Sequence, residues 1–393
     1  MKTNLTRLFS IFLAIICMAL PIVTAAENTV IPAEGTKITA GDYVYTMSSL
    51  EGQHCWEVTG YTGKYLPRRC PDSNIPEELE GFPVQFWNND IYADLNRQNG
   101  IYLYAPVSET ECYLTGYTGY ERIAYLPSEL DGYTVTGIAN YAFAYSGFTL
   151  DAFANIVVFS DTIRYVGKYA FYLSSVSYYI LNDGLECIDN LAFGDIIQDR
   201  IALPGSLKEI GENPFGANYY VGRDNQQLIL TDMDGIEGWS NDYFAVINGA
   251  LYSLEDHRLI TYLDQMQIDY FGTNIAYWER EYTVAEGTEI IGADAFFATT
   301  SLEKVILPEG LTEIKAEAFS CCVNLQEINI PSTVTTIGRD AFSNCKLSTV
   351  TIPATVTSIG DNAFDNTVTI ICEDGSAAEA YCIRENIPYI DAH

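Results

Sequence analysis

Between Leu302 and Phe364 the chain writes one unit three times, at 302–319, 325–342 and 347–364. Each copy opens Leu-x-x-(Val/Ile)-x-(Leu/Ile)-Pro. An apolar pair spaced i,i+3 follows (Leu311 and Ile314, Val334 and Ile337, Val356 and Ile359), and an Ala-Phe pair closes the unit. The prolines stand at 308, 331 and 353 and the phenylalanines at 319, 342 and 364, so each Phe lies 11 residues past its Pro and the period is 22 or 23. Self-similarity at that period specifies a solenoid.

The periods inside the unit give its physical sense. In Glu327-Ile328-Asn329-Ile330-Pro331 apolar and polar residues alternate, as in a short strand with one buried face, and the proline ends the ladder. One such unit has an apolar face and nothing to cover it, whereas stacked copies bury each other's Leu, Ile and Phe. Burying each of these side chains contributes roughly 1.5–3 kcal/mol, so stacking is what makes the unit fold. The glycine after the last Ile (Gly292, Gly338, Gly360) suggests a turn with relaxed backbone sterics, although Lys315 in the same place argues against an obligatory positive φ.

The same offset recovers an earlier block. Phe171, Phe193 and Phe215 are spaced by 22 and each lies 11 past the proline-equivalent position (Ser160, Asn182, Pro204). Phe143 precedes them, and Phe296 opens the later block. Further upstream there is a looser duplication: Val58-Thr-Gly-Tyr-Thr-Gly63 matches Leu114-Thr-Gly-Tyr-Thr-Gly119, and residues 75–84 match 126–135. Two copies of a β-rich unit account for it, the first serving as an irregular end cap. Between the blocks, Phe244 to Tyr252 carries Asn248-Gly249 between apolar runs, which predicts a hairpin; Leu259 to Tyr262 is a further apolar run. At the C-terminus Ser376-x-x-Glu379 after Gly375 is a capping box, with Pro388 beyond the end of the helix it opens. Ala380, Tyr381 and Ile383 are the side chains expected to shield the last unit.

Residues 1–25 have the pattern of an export signal. Lys2 and Arg7 precede an apolar run from Leu8 to Leu20, too short to span a bilayer comfortably, and Val23-Thr24-Ala25 is a small-residue cleavage site. The formal net charge of −32 opposes binding to nucleic acid or an anionic membrane.

The unit Leu-x-x-Ile-x-Ile-Pro-x-x-Val-x-x-Ile-Gly-x-x-Ala-Phe-x-x-Cys resembles the leucine-rich repeats of the BspA-like type, found in exported bacterial proteins. The resemblance covers most of residues 113–393 and is weak over 26–112. It implies a curved solenoid, a secreted or cell-surface location and, from the few members with assigned roles, adhesion to host surfaces or matrix proteins; it implies no catalytic residues. The expected fold is therefore α/β, mostly β: a leucine-rich repeat solenoid with a stacked parallel sheet, an irregular β-rich N-terminal cap and a C-terminal capping helix. The expected division is a signal peptide (1–25), the cap (26–122), repeat block 1 (123–216), an irregular insertion with a hairpin (217–281), repeat block 2 (282–366) and a capping strand and helix (367–393).

Of ten cysteines, nine lie beyond the leader, an odd number for an exported chain. Cys322 and Cys345 share one repeat position; rungs about 4.8 Å apart permit a disulfide there, but a stack of buried free thiols is the simpler expectation. Cys372 and Cys382 are the better candidate pair, and Cys55 has Cys70 and Cys112 as alternatives. His54, His257 and His393 stand far apart without metal-ligand spacing, and no nucleophile elbow, phosphate loop or Cys-x-x-Cys occurs. Asp232-Met-Asp234-Gly235 is only a fragment of a calcium loop. No cofactor, metal or catalytic activity is expected.

Binding is the remaining class. Outward strand positions would form a polar strip of Glu303, Lys304, Gln326, Glu327, Asn329, Ser348, Thr349 and Thr351 along the sheet, a candidate face for a protein or glycoprotein. The alternative is a carbohydrate-binding protein using exposed aromatic residues, prompted by 29 Tyr, 18 Phe and 4 Trp, with Trp56, Trp87, Trp239 and Trp278 all outside the regular repeats.

Overall fold

A computed structural model describes residues 32–40, 43–50, 53–61, 64, 66, 78–79, 82–85, 95–119, 121–144, 155–174, 176–194, 200–216, 229–231, 233–234, 237–263 and 280–392. The export signal, Cys70, Trp87, Trp278, His393, and Asp232 and Gly235 of the calcium-loop fragment lie outside the described residues. The chain packs as two units, one ending at Asn96 and one running from Arg97 to His393.

The first unit is a five-stranded sheet in the order Lys37–Ala40, Tyr43–Leu50, Gln53–Tyr61, Phe82–Gln85, Glu78–Leu79. Trp56 and Tyr45 are buried in it. Gln53–Tyr61 runs antiparallel to Tyr43–Leu50 and parallel to Phe82–Gln85, which closes a small hairpin with Glu78–Leu79. The second unit opens with the same arrangement. Glu111–Tyr117 runs antiparallel to Tyr102–Pro106 and parallel to Tyr133–Ile138, and Tyr133–Ile138 closes a hairpin with Glu129–Leu130. Trp56 pairs with Val84 as Cys112 pairs with Val135, the register that the sequence duplication predicts. The strands from Arg97 to Tyr117 thus continue the solenoid sheet. The boundary between the compact units falls at Asn96/Arg97, so the second copy of the duplicated unit lies in the same unit as the repeats.

Each regular rung contributes two short strands. The first, at Leu-x-x-(Val/Ile)-x-(Leu/Ile), forms the outer ladders Ile123–Tyr125, Asn155–Val158, Val176–Ile180 and Glu281–Thr283, Lys304–Ile306, Glu327–Ile328. The second lies at the i,i+3 apolar pair, where the repeat pattern alone does not mark a strand. It builds longer parallel ladders, from Glu111–Tyr117 through Glu209–Ile210 and from Arg258–Tyr262 through Ser358–Ile359. Such short strands suffice in the interior of each ladder because the strands there are paired on both sides.

Between the ladders runs a column of aromatic rings. Phe143, Phe171, Phe193 and Phe215 stack at centroid distances of 4.9, 5.5 and 6.3 Å, and Phe296, Phe319, Phe342 and Phe364 at 4.7, 5.1 and 4.9 Å. All eight are buried. Tyr262, in the insertion, supplies the ring before Phe296 at 5.2 Å, and its N–H donates to Ala295 O as Phe319 N–H donates to Ala341 O. The insertion is therefore threaded into the stack as a degenerate rung. Its hairpin pairs Phe244–Ile247 with Ala250–Ser253, and both turn residues, Asn248 and Gly249, have positive φ, as a two-residue turn of this twist requires.

The glycine before the Ala-Phe pair serves close approach, not a turn. Gly292, Gly338 and Gly360 do not have positive φ. A Cβ on Gly338 would lie 2.3 Å from Ala316 N, and one on Gly360 would lie 2.3 Å from Arg339 N. The left-handed residue comes two before each Phe: Tyr141, Tyr169, Leu191, Asn213, Asp294, Glu317, Asp340 and Asn362, at φ between 39° and 56°. This turn aims backbone donors along the stack, as in Glu317 N–H to Arg339 O (2.9 Å) and Phe319 N–H to Ala341 O (2.8 Å). Those ladder bonds offset a left-handed cost of roughly 1–2 kcal/mol per residue. Gly338→Ala is expected to destabilise by about 1–3 kcal/mol, the range of core overpacking, since Ala139, Asp189 and Lys315 show that a rung can shift to admit a Cβ there. A urea midpoint unchanged from the parent would contradict close approach as the reason for glycine.

The helix Ala377–Glu385 (α1) closes the stack. Ser376 Oγ accepts from Glu379 N–H and Asn386 ends the helix in the left-handed region, as the capping box predicts, but the Glu379 carboxylate accepts from Gly375 N–H, one residue before the N-cap, and not from Ser376 N–H. The last Phe has no following rung to receive its N–H, and Tyr381 supplies the acceptor: Phe364 N–H donates to the phenol oxygen at 3.0 Å. Burial pushes the Tyr381 phenol up to about 12, so it stays protonated. Ala378, Tyr381 and Cys382 face the stack; Ala380 and Ile383 face solvent. The inward stripe is set by Tyr381 alone among the three residues expected, because the helix must turn its small Ala378 toward the strands to bring the phenol over Phe364.

Candidate functional site

The expected polar strip is divided. Lys304–Ile306 pairs with Glu281–Thr283 and Glu327–Ile328, whereas Thr349–Thr351 pairs with Thr369–Cys372 and, through it, with Tyr389–Asp391. Glu303, Lys304 and Glu327 thus belong to one ladder with Gln326 and Asn329 at its end, and Ser348, Thr349 and Thr351 belong to another. Much of the first group is already engaged. Glu303 accepts from Arg280 at 2.9 Å and Lys304 meets Glu281 at 3.1 Å. Asn329 is a structural plug: its amide donates to Leu307 O at 3.0 Å and accepts from Leu307 N–H at 2.8 Å, replacing backbone pairing where the strand has ended. Ser348, Thr349 and Thr351 are exposed.

Block 1 presents a different surface. On the sheet Ile123–Tyr125, Asn155–Val158, Val176–Ile180 the register places Ile123, Ile156 and Tyr178 in one outward row and Tyr125, Val158 and Ile180 in the next. Ile123 is 40% exposed, Tyr125 66%, Tyr178 50% and Ile180 53%, while Ile156 and Val158 are half-buried between them. Six apolar side chains on adjoining strands make a contiguous patch, which a soluble surface seldom carries without a partner. The sequence did contain the signal. Ile123-Ala-Tyr-Leu126, Ile156-Val-Val-Phe159 and Tyr178-Tyr-Ile-Leu181 are unbroken apolar runs, meaning both strand faces are apolar, whereas Glu327-Ile-Asn-Ile330 alternates.

Among the described residues no cluster of His, Cys, Asp or Glu could hold a metal, and His257 pairs on the surface with Glu289 at 2.9 Å. The most concentrated charges tie the two blocks together. Glu212, on the last rung of block 1, accepts from Arg258 at 2.6 Å and from Lys315 at 2.8 Å, and Thr261 Oγ1 donates to Asn213 Oδ1. Farther along, Glu317 accepts from Arg339 at 3.0 Å. Cys322 and Cys345 are free thiols, and each donates to a phenylalanine carbonyl, Phe296 O at 3.0 Å and Phe319 O at 3.1 Å, forming a thiol ladder.

Residues 136–221 and 280–371 match the family model described as the BspA type leucine rich repeat region, in six copies. These two stretches carry leucine-rich repeats of the BspA type. Solved structures similar to this chain include a leucine rich cell surface protein from Faecalibacterium prausnitzii, 18% identical over 75% of this chain and 94% of that one, with a TM-score of 0.44. The pneumococcal vaccine antigen PcpA is 17% identical over 92% of this chain and 99% of its own, with a TM-score of 0.49. A leucine-rich repeat protein from Bacteroides capillosus is 27% identical over 31% of this chain and 90% of that one, at a TM-score of 0.27. No curated protein matches the sequence. Among the described residues no helix is long and apolar enough to cross a membrane.

Proposed function

We propose that this chain is an exported, non-catalytic interaction protein, held at or released from the cell surface, that binds a protein or glycoprotein through the outer sheet of block 1. The patch of Ile123, Tyr125, Ile156, Val158, Tyr178 and Ile180 supports this reading. Branched aliphatic side chains flanking two tyrosines suit the apolar side chains of a polypeptide. A sugar ring would need a flat aromatic platform. The two tyrosines lie on strands separated by Asn155–Val158, and Trp56 and Trp239 are buried, which removes those two indoles from such a platform. The net charge of −32 further favours a partner that is not a polyanion.

The test is a binding screen of the full chain against immobilised matrix glycoproteins and polysaccharides. For a protein ligand found this way, the double variant Tyr125→Ala/Ile180→Ala is expected to lose about tenfold or more in affinity, and Thr349→Ala/Thr351→Ala to lose little. The reverse order would move the face to the C-terminal ladder. A polysaccharide response that Tyr125→Ala/Tyr178→Ala abolishes would make this a lectin-like surface instead.

A further inference from the structure

The chain has 52 acidic side chains against 20 basic ones, and it repeatedly sets one beside the other on neighbouring rungs. Lys208 meets Glu186 at 3.1 Å, Arg280 meets Glu303 at 2.9 Å, Lys304 meets Glu281 at 3.1 Å and Arg339 meets Glu317 at 3.0 Å, each pair 22 or 23 residues apart. Beside the apolar patch of block 1 this pairing stops. Asp161 and Asp183 stand three residues past Val158 and Ile180, which are register partners, so their backbones lie about one strand spacing, ~4.8 Å, apart. Glu129 follows Tyr125 at the same end of the strands. All three are exposed, and among the described residues no hydrogen bond or ion pair engages their carboxylates. Arg122 stands at the opposite, N-terminal end of the strand Ile123–Tyr125, and Arg200 is held by Glu237 at 2.9 Å. Glu286 and Glu309 occupy the same turn in block 2, but the strands before them present Glu281, Thr283 and Lys304, two of which form an ion pair. Acidic residues at this turn therefore mark nothing alone. Only in block 1 do they border an apolar surface.

We propose that the block 1 face takes a basic, apolar segment of a polypeptide, with aliphatic or aromatic side chains on the patch and Lys or Arg side chains reaching Asp161 and Asp183. The inference deepens the proposed function and rests on that face being the binding surface. Two unpaired carboxylates on adjacent rungs repel each other, and a cation placed between them relieves both. A lysine suits the geometry, because its methylenes can lie along the edge of the patch while its ammonium reaches the turn. Ion pairs in so exposed a setting add little to affinity. Their effect is on which segment docks and how fast it arrives, and the net charge of −32 draws a cationic segment toward the chain from a distance. An acidic segment of equal apolarity would bring its own carboxylates up against Asp161 and Asp183.

The probes are short synthetic peptides alternating Leu with Lys, Leu with Glu, or Ser with Lys, each labelled and titrated with the full chain by fluorescence anisotropy. At low salt the Leu/Lys peptide is expected to bind at least about tenfold more tightly than either of the others. Asp161→Asn/Asp183→Asn should weaken its binding about three- to tenfold, a loss that shrinks at about 0.5 M salt, where exposed charges are screened. Glu286→Gln/Glu309→Gln removes the same charge from block 2 and is expected to change binding by less than about twofold. Tyr125→Ala/Ile180→Ala should erase the advantage of Leu/Lys over Ser/Lys. All of these substitutions are at exposed positions, so the fold is retained. A Leu/Lys peptide that does not bind, that binds no better than Leu/Glu, or that loses as much through the block 2 variant as through the aspartate variant overturns the inference. If both leucine peptides bind equally and Tyr125→Ala/Ile180→Ala abolishes both, the face stands and its preference for a basic segment falls. Leu/Lys binding that survives Tyr125→Ala/Ile180→Ala removes the face itself.

Discussion

Phe319→Ala is expected to cost about 3–5 kcal/mol, read as a lower denaturant midpoint at unchanged fold. Its ring is fully buried between Phe296 at 4.7 Å and Phe342 at 5.1 Å, nearly parallel to both. Truncation removes the transfer energy of the ring and two stacking contacts, and it leaves a cavity that the neighbours cannot fill, since each is held by its own rung's backbone ladder. Phe364→Ala should cost less, because that ring has Phe342 on one side and only the edge of Tyr381, at 6.3 Å, on the other. Because a solenoid's stability is summed over neighbouring rungs, Phe319→Ala should also loosen the coupling between the rungs on either side and broaden the transition. Equal costs at 319 and 364, with the same transition width, would show that the column is not the source of cohesion.

This column was legible in the sequence because it is carried by side chains. The Pro-to-Phe offset of 11 survives where letters drift, as at Ser160 and Asn182, since each ring must land on the one below. Features carried by the backbone were hidden. The left-handed turn two residues before each Phe falls on Tyr, Leu, Asn, Asp and Glu alike, so no residue type announces it, and the nearby glycine, which does announce something, marks backbone contact between rungs. The candidate binding face was half legible. Outward positions followed from alternation, but the break between Glu327–Ile328 and Thr349–Thr351 depends on Asn329 turning its amide into the strand's own hydrogen bonds. The apolar block 1 surface could have been read from its unbroken runs; the habit of assigning every apolar strand residue to the core concealed it.

The largest gain in stability is expected from Asp294→Asn. Asp294 occupies the left-handed position of its rung, and burial, then the charges of Glu317 and Glu212, push its carboxyl up to about 8, against a smaller opposing pull from Arg339. An unfolded aspartate titrates near 3.9, so between about pH 4 and pH 8 the unfolded chain has lost a proton that the folded chain retains. The folded state is therefore favoured most below pH 4 and loses up to about 1.4 kcal/mol per pH unit through that window, after which the slope levels off. Lys315 and Arg258 do not relieve Asp294, because both are engaged with Glu212, and Arg339 is engaged with Glu317 and Asp340. An asparagine side chain keeps the shape, has no charge to bury and is at ease in the left-handed region; the chain already uses it at the same place in Asn213 and Asn362. Chemical denaturation of parent and variant from pH 4 to pH 9 should give two curves that start together and separate steadily, with the variant more stable by at least about 2 kcal/mol at pH 8. Parallel curves across that range would mean that Asp294 is ionised in the folded protein and that its neighbours, not a proton, carry the cost of burying it.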